Sequence, residues 1–172
     1  MTDSRELQSP EGRLGVLLPG MGAIASTFIA GVELYKRKLG DLFGSLTQMQ
    51  YVRLGKRYER RHRLVRELVP LAEPGDLVFG GWDIFSDSIL EVARQAGVLP
   101  PERLAAVGEA LDAIRPMPGV FDARYLPNLH GTHVKEGGTK MELARQIMDD
   151  IEEFRRIHQL ERAVMIWCAS TE

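Results

Sequence analysis

The chain has 172 residues, about one domain's length, and 44% of them are hydrophobic, enough to bury a core, so disorder is excluded as the default. A net charge of −2 and a pI of about 6.1 give no overall field for nucleic acid or anionic lipid. A single cysteine, Cys168 in the apolar run AVMIWCA, excludes an internal disulfide and a cysteine-based zinc site and reads as a small core residue.

The amino-terminal stretch MTDSRELQSPEGR is polar and acidic, and no run of about 18 apolar residues follows anywhere. The expectation is a soluble cytoplasmic chain with no membrane partner and a flexible lead-in over residues 1–12. Leu14 to Leu18 then form a short apolar run of the buried parallel-strand kind, ending at Pro19. From Ala23 to Lys38, Ile24, Phe28, Ile29 and Val32 recur at helical spacing, with Lys36, Arg37 and Lys38 before a stop at Gly40.

Phe43 to Arg57 reads as loop and then, at most, a short strand, and residues 58–69 read as a charged helix. AEPGDLVFGGWDI gives a turn at Pro74-Gly75, a strand over Leu77 to Phe79 and a glycine break at Gly80-Gly81. Asp83 can cap a helix whose inner face is Ile89, Val92, Ala93 and Ala96, stopped by Gly97; a second helix carries Leu104, Val107, Leu111 and Ile114. Thr139-Lys-Met-Glu142 reads as a capping box opening a long helix with Leu143, Ile147, Ile151, Phe154 and Ile157 inward, and Ala163 to Ala169 as a last apolar strand. Strands that are apolar throughout and alternate with helices predict an α/β fold, a parallel sheet with helices on both faces.

Gly20-Met21-Gly22-Ala23-Ile24-Ala25 is a G-x-G-x-x-A turn between that first strand and helix. It is either a structural turn or a phosphate site: the first glycine permits the tight turn, the second lets a pyrophosphate approach, Ala25 allows close packing, and the free N–H groups favour an anion. The acidic residue that usually follows about 20 positions on has only Asp41 as a candidate, with no clear strand before it. Asp83, at a strand's carboxyl end, is either a ribose-hydroxyl acceptor or a plain helix cap. Cys168 to Thr171 offer small polar groups at the same edge, or ordinary loop polarity.

Leu54 to Glu67 holds six Lys or Arg residues, but Glu59 and Glu67 interrupt it and favour a solvated helix face. His130 and His133 lack a neighbouring acidic or thiol cluster, so no metal is expected. Neither a Ser-His-Asp arrangement nor a Walker sequence occurs.

The blocks GMGAIASTFIAGV, GSLTQ then RLGKR, DLVFGGWDI, PMPGVFD, the GGTK helix start and MIWCASTE stand in the order and approximate spacing of the myo-inositol-phosphate synthases. From about Leu14 to the last residue the chain resembles that family, VFGGWDI being the most specific piece. The resemblance implies a Rossmann-like NAD-binding domain over residues 13–172, with Met21, Gly22, Ala23 and Ile24 at the pyrophosphate, Gly20 and Ala25 shaping that turn, and Asp83 on the adenosine ribose. It also implies Gly119 and Val120 beside the cofactor and Cys168, Ala169, Ser170 and Thr171 at the nicotinamide side. Where family members carry a glycine with paired asparagines, this chain has Gly22-Ala23-Ile24, which loses their side-chain hydrogen bonds; Thr-Ala-Asn-Thr is here Cys-Ala-Ser-Thr.

For the complete protein the resemblance implies NAD-dependent isomerisation of glucose 6-phosphate to myo-inositol phosphate by oxidation, aldol closure and re-reduction, in a homo-oligomer that is tetrameric in the family. The family's catalytic lysines and sugar-phosphate domain lie beyond the block that ends this chain, so these residues read as the amino-terminal part, without catalytic residues and inactive alone. The alternatives are a stand-alone, non-catalytic dinucleotide-binding module and, ranked last, a nucleic-acid binder built on Lys56 to Arg66.

Overall fold

The computed structural model describes residues 11–169, so most of the lead-in lies outside it, as do Ser170 and Thr171. The elements run β1 (Leu14–Pro19), α1 (Ala23–Lys36), α2 (Leu46–Met49), β2 (Tyr51–Leu54), β3 (Arg61–Leu64), α3 (Val65–Leu68), β4 (Leu77–Asp83), α4 (Ile89–Ala96), α5 (Pro101–Asp112), β5 (Met117–Pro118), α6 (Lys140–His158) and β6 (Arg162–Met165).

Four strands form one parallel sheet in the order β5-β4-β1-β6, with Leu14 level with Leu77 on one side and Arg162 on the other. Parallel neighbours need long crossovers, and here helices supply them. Val16 and Leu18 of β1 join Phe79 in a core with α1, α4 and α5, while Leu17 points the other way, joining Val78, Trp82 and Phe154 of α6. Both faces are therefore covered, and the apolar runs of β1 and β4 follow from that two-sided burial.

Gly80-Gly81 does not break β4, which continues to Asp83. The glycines are there for clearance. A Cβ on Gly80 would lie 2.6 Å from the Phe154 ring, and one on Gly81 2.1 Å from the Leu18 carbonyl oxygen.

Residues 58–69 are not one helix. Tyr51–Leu54 and Arg61–Leu64 pair antiparallel, with Tyr51 opposite Leu64 and Leu54 opposite Arg61, and α3 is a single turn after them. Charges that would have lined a helix pair locally instead, Glu59 with Arg61 and Glu67 with Arg63. This hairpin packs chiefly on α2 and α3 and forms a side excursion between α1 and β4.

The helix boundaries also shift. α1 ends at Lys36 because Lys38 turns left-handed (φ 59°), and its buried face is Ala25, Ser26, Ile29, Ala30, Val32 and Leu34. Of the four residues at helical spacing, Ile29 and Val32 are buried, while Ile24 and Phe28 are 69% and 40% exposed. Ser88, not Asp83, caps α4, in a reciprocal box with Glu91. α5 buries Leu104, Val107 and Leu111, as its spacing predicts.

The Thr139–Glu142 box opens α6, which buries Phe154 and half-buries Ile147 and Ile151; Ile157 is exposed, the space above Gly15 being filled by Phe154 and Leu160. β6 is a sheet edge, so Val164, Met165, Ile166 and Trp167 are exposed instead of buried. Among the described residues no helix is long and apolar enough to cross a membrane.

Candidate functional site

The turn after β1 is tied down from two sides. The Gly20 N–H donates to the Trp82 carbonyl at 2.8 Å, and the Met21 N–H donates to Asp83 Oδ2 at 2.7 Å. Gly20 has φ 86°, and a Cβ there would lie 2.3 Å from the Ala169 backbone, so two independent constraints demand glycine. Cys168 donates its N–H to the Pro19 carbonyl at 2.8 Å, which carries the 168–169 segment past the turn.

Gly22 is different. A Cβ there would meet no protein atom within 4 Å, so its hydrogens face open space at the start of α1. Gly22 is the N-cap of that helix, no side chain caps it, and its first turn carries no acidic residue. The first N–H groups of a helix have no partner within it, and the helix dipole adds positive potential at this end. The place is shaped for an anion that comes close to the backbone. Ala25, fully buried, lets α1 lie close on the sheet.

Asp83 closes β4 next to this turn. Its second oxygen, Oδ1, accepts the Phe85 N–H at 3.1 Å. The four-strand order also explains the sequence puzzle over the acidic residue. β4 lies directly beside β1, the place of the second strand in a dinucleotide fold, and the excursion over residues 37–76 pushes the carboxylate far down the chain. Asp41 lies in that excursion and is not at a strand end.

Gly119 stands against Asp83, donating its N–H to the carbonyls of Asp83 and His133, both at 3.0 Å, while Lys135 donates to the Gly119 carbonyl at 2.8 Å. Val120 follows, half exposed. The structure thus gathers Gly20 to Ala25, Asp83, Gly119, Cys168 and Ala169 at the carboxyl ends of β1, β4 and β6. Ile24 and Val120 lie at the rim with exposed side chains, and Ser170 and Thr171 fall outside the described residues. Burial pushes the Cys168 thiol above its ordinary 9.0, so at neutral pH it is a thiol and not a nucleophilic thiolate.

A cavity of about 280 Å³ opens here between the turn and α4. It is lined by Met21 and Gly22 of the turn, by Asp83 at the end of β4, by Phe85 and Asp87 after it, and by Val92, Gln95 and Pro116. That volume suits part of a dinucleotide and not the whole, since complete small-molecule sites span roughly 300–1,000 Å³. The residues fit an NAD-type ligand: an open glycine at a helix start for the pyrophosphate, and a carboxylate beside it for ribose hydroxyls.

Two features were hidden in the sequence. Phe85, Asp87, Gln95 and Pro116 form the cavity wall, and only the nearness of Asp87 to Asp83 could have hinted at it. On the far face, Trp82 Nε1 donates to Asp150 Oδ2 at 2.6 Å, and Lys135 Nζ pairs with the same oxygen at 2.8 Å. This bridge ties the turn-supporting Trp82 to the loop carrying Gly119. Residues so far apart leave no periodic signal. His133, considered as a metal ligand, instead lies with Nε2 3.1 Å from the Pro116 carbonyl.

Residues 14–172 match an NAD-binding family model described as myo-inositol-1-phosphate synthase. The inositol-3-phosphate synthase 1 of Bacteroides thetaiotaomicron is 41% identical over 169 residues, covering 98% of this chain and 39% of that protein. An inositol-3-phosphate synthase of Brassica napus is 32% identical, covering 93% of this chain and 34% of its own length. A crystal structure of inositol-3-phosphate synthase from Caenorhabditis elegans superimposes with a TM-score of 0.83 at 27% identity, covering 96% of this chain and 35% of that one. The chain therefore spans between a third and two fifths of the length of these relatives.

Proposed function

This chain belongs to the myo-inositol-1-phosphate synthase family and carries its NAD-binding domain, and from that premise we propose how residues 13–172 hold the cofactor and what the complete protein does. The pyrophosphate lies at the start of α1, against the N–H groups of Gly22, Ala23 and Ile24. The Met21 N–H is held by Asp83, so Met21 contributes by fixing the turn. Gly20 and Ala25 give it its shape. Asp83 keeps acceptor capacity for a ribose hydroxyl, because a carboxylate has about four lone-pair sites and two are used.

Gly119 and Val120 flank the cofactor from the β5 side, and Cys168 and Ala169 approach the nicotinamide half from the β6 side, the role that the family resemblance also gives to Ser170 and Thr171. One observation carries this reading. An uncapped helix start with open space at Gly22 lies beside a carboxylate that is bonded to the same turn.

NAD, when bound, supplies hydride acceptance from a sugar phosphate and hydride return after ring closure. This chain's part is to bind and orient it and to keep water from one side. The complete protein isomerises glucose 6-phosphate to myo-inositol phosphate, as a cytoplasmic homo-oligomer, with its catalytic side chains outside these residues.

Two measurements test this. Calorimetry of the purified chain with NAD⁺ should show saturable binding; a folded chain that gives no heat would sink the cofactor reading. Labelled glucose 6-phosphate supplied to the complete gene product should yield labelled inositol phosphate; binding without conversion would leave a dinucleotide-binding module.

A further inference from the structure

We propose that Asp87 is a specificity-determining residue of this cavity, a second carboxylate that makes the site select a dinucleotide with a free adenosine 2′-hydroxyl over its 2′-phosphorylated counterpart. This inference rests on the cofactor reading above and deepens it. In dinucleotide folds the choice is made beside the second strand's end, where an acidic residue takes the ribose hydroxyls or a nearby arginine takes the phosphate.

Among the described residues, the cavity next to Asp83 is lined by a second acid and by no cation, Asp83 and Asp87 being the charged residues that line it. The two differ in how they are engaged. Both oxygens of Asp83 accept backbone N–H groups, from Met21 and Phe85. Among the described residues, Asp87 is in no ion pair and accepts no hydrogen bond, so its charge faces the cavity uncompensated.

A neighbouring cation is already used. Arg115, next to the lining residue Pro116, pairs with Glu91 at 3.8 Å and Asp112 at 3.7 Å, and its other bond is to the Ser86 carbonyl at 3.4 Å. A 2′-phosphate carries close to two negative charges at neutral pH. Placed against Asp83 it would meet Asp87 with no arginine to offset the repulsion, in a half-enclosed space where water screens less than in bulk. A neutral hydroxyl meets no such penalty and can donate to either carboxylate.

The test is calorimetry with NAD⁺ and NADP⁺ on the folded chain, for the parent and for Asp87→Asn and Asp87→Ser, each checked by circular dichroism. The quantity read is the ratio of the two affinities. The parent should favour NAD⁺. Both variants should move the ratio toward NADP⁺ by about tenfold, the size of a 1.4 kcal/mol change. In the parent, raising salt should narrow the preference, and in the variants it should do so less, because screened charge repulsion is the cause.

A ratio unchanged in both variants, or one that moves with no difference in salt dependence, overturns the assignment while leaving NAD⁺ binding intact. A parent that binds neither dinucleotide overturns the cofactor reading and this inference with it. If Asp87→Asn fails to fold, Asp87→Ser reads the same ratio.

Discussion

Asp83→Asn separates the two duties of one carboxylate. In the parent, Oδ2 accepts the Met21 N–H at 2.7 Å and Oδ1 the Phe85 N–H at 3.1 Å. Asparagine offers one oxygen and one NH₂ group, so whichever way it turns, one of those backbone donors faces another donor. A hydrogen bond to a charged group contributes about 1.5–3 kcal/mol, and Asp83 is only half-buried, so the lower end of about 1.5 applies. For a chain of this size, with a shift of roughly 2–4 °C per kcal/mol, Tm should fall by about 3–6 °C. If the same oxygens take a ribose hydroxyl, NAD⁺ affinity should fall by roughly tenfold or more as well. Scanning calorimetry reads the first and titration calorimetry the second. Unchanged Tm and unchanged affinity together would refute the reasoning. A lower Tm with unchanged affinity would leave Asp83 as a latch for the turn and remove it from the ribose.

The two turn glycines should behave differently. Gly22→Ala should keep the fold to within about 1 kcal/mol, the cost of alanine for glycine at an N-cap, yet weaken NAD⁺ binding, whereas Gly20→Ala should unfold or strongly destabilise the chain by its clash with Ala169. Thermal melts with NAD⁺ titrations distinguish these. Asp150→Ala should cost about 2–3 kcal/mol in urea denaturation, because it strands the Lys135 ammonium, 9% exposed, and the Trp82 N–H together; Asp150→Asn should recover part. Glu91 is held below its ordinary 4.5 by the Ser88 N–H and hydroxyl at the start of α4. Its contribution is therefore complete above 4.5 and lost as pH falls through the lower folded-state value, so Glu91→Gln should flatten the acid limb of a Tm-against-pH curve.

The sequence made the frame of this site readable where local chemistry decided it. β1, the glycine turn and α1 follow from an apolar run, two glycines and helical spacing within one short stretch. The Thr139–Glu142 box opens α6 for the same reason. Asp83 was recognisable as a candidate, and that it is not the helix cap shows only in the fold, where Ser88, five residues on, takes the cap. β2 falls where a short strand was expected, whereas β3 lies in the segment that reads as helix, because its charges sit at spacings that serve a helix face equally well. Gly80-Gly81 suggested a break, and only the nearness of Phe154 and Leu18 shows why a strand tolerates them. Asp87, Gln95, Lys135 and Asp150 owe their place to tertiary contacts, which no periodicity records.

β1 lies in the middle of the sheet, yet its two neighbours come from far down the chain, Leu14 pairing with Leu77 on one side and Arg162 on the other. Contacts so distant in sequence close slowly, because the entropy of the intervening chain is lost before the pairing returns anything. On a ribosome, the first strand and its glycine turn emerge early and wait through the whole excursion for Asp83, then through α4, α5 and α6 for the segment that crosses Gly20. The anion-binding end of α1 is thus made first and completed last. Affinity for a dinucleotide should appear in one step with the docking of β6, which makes ligand binding a reporter of that pairing.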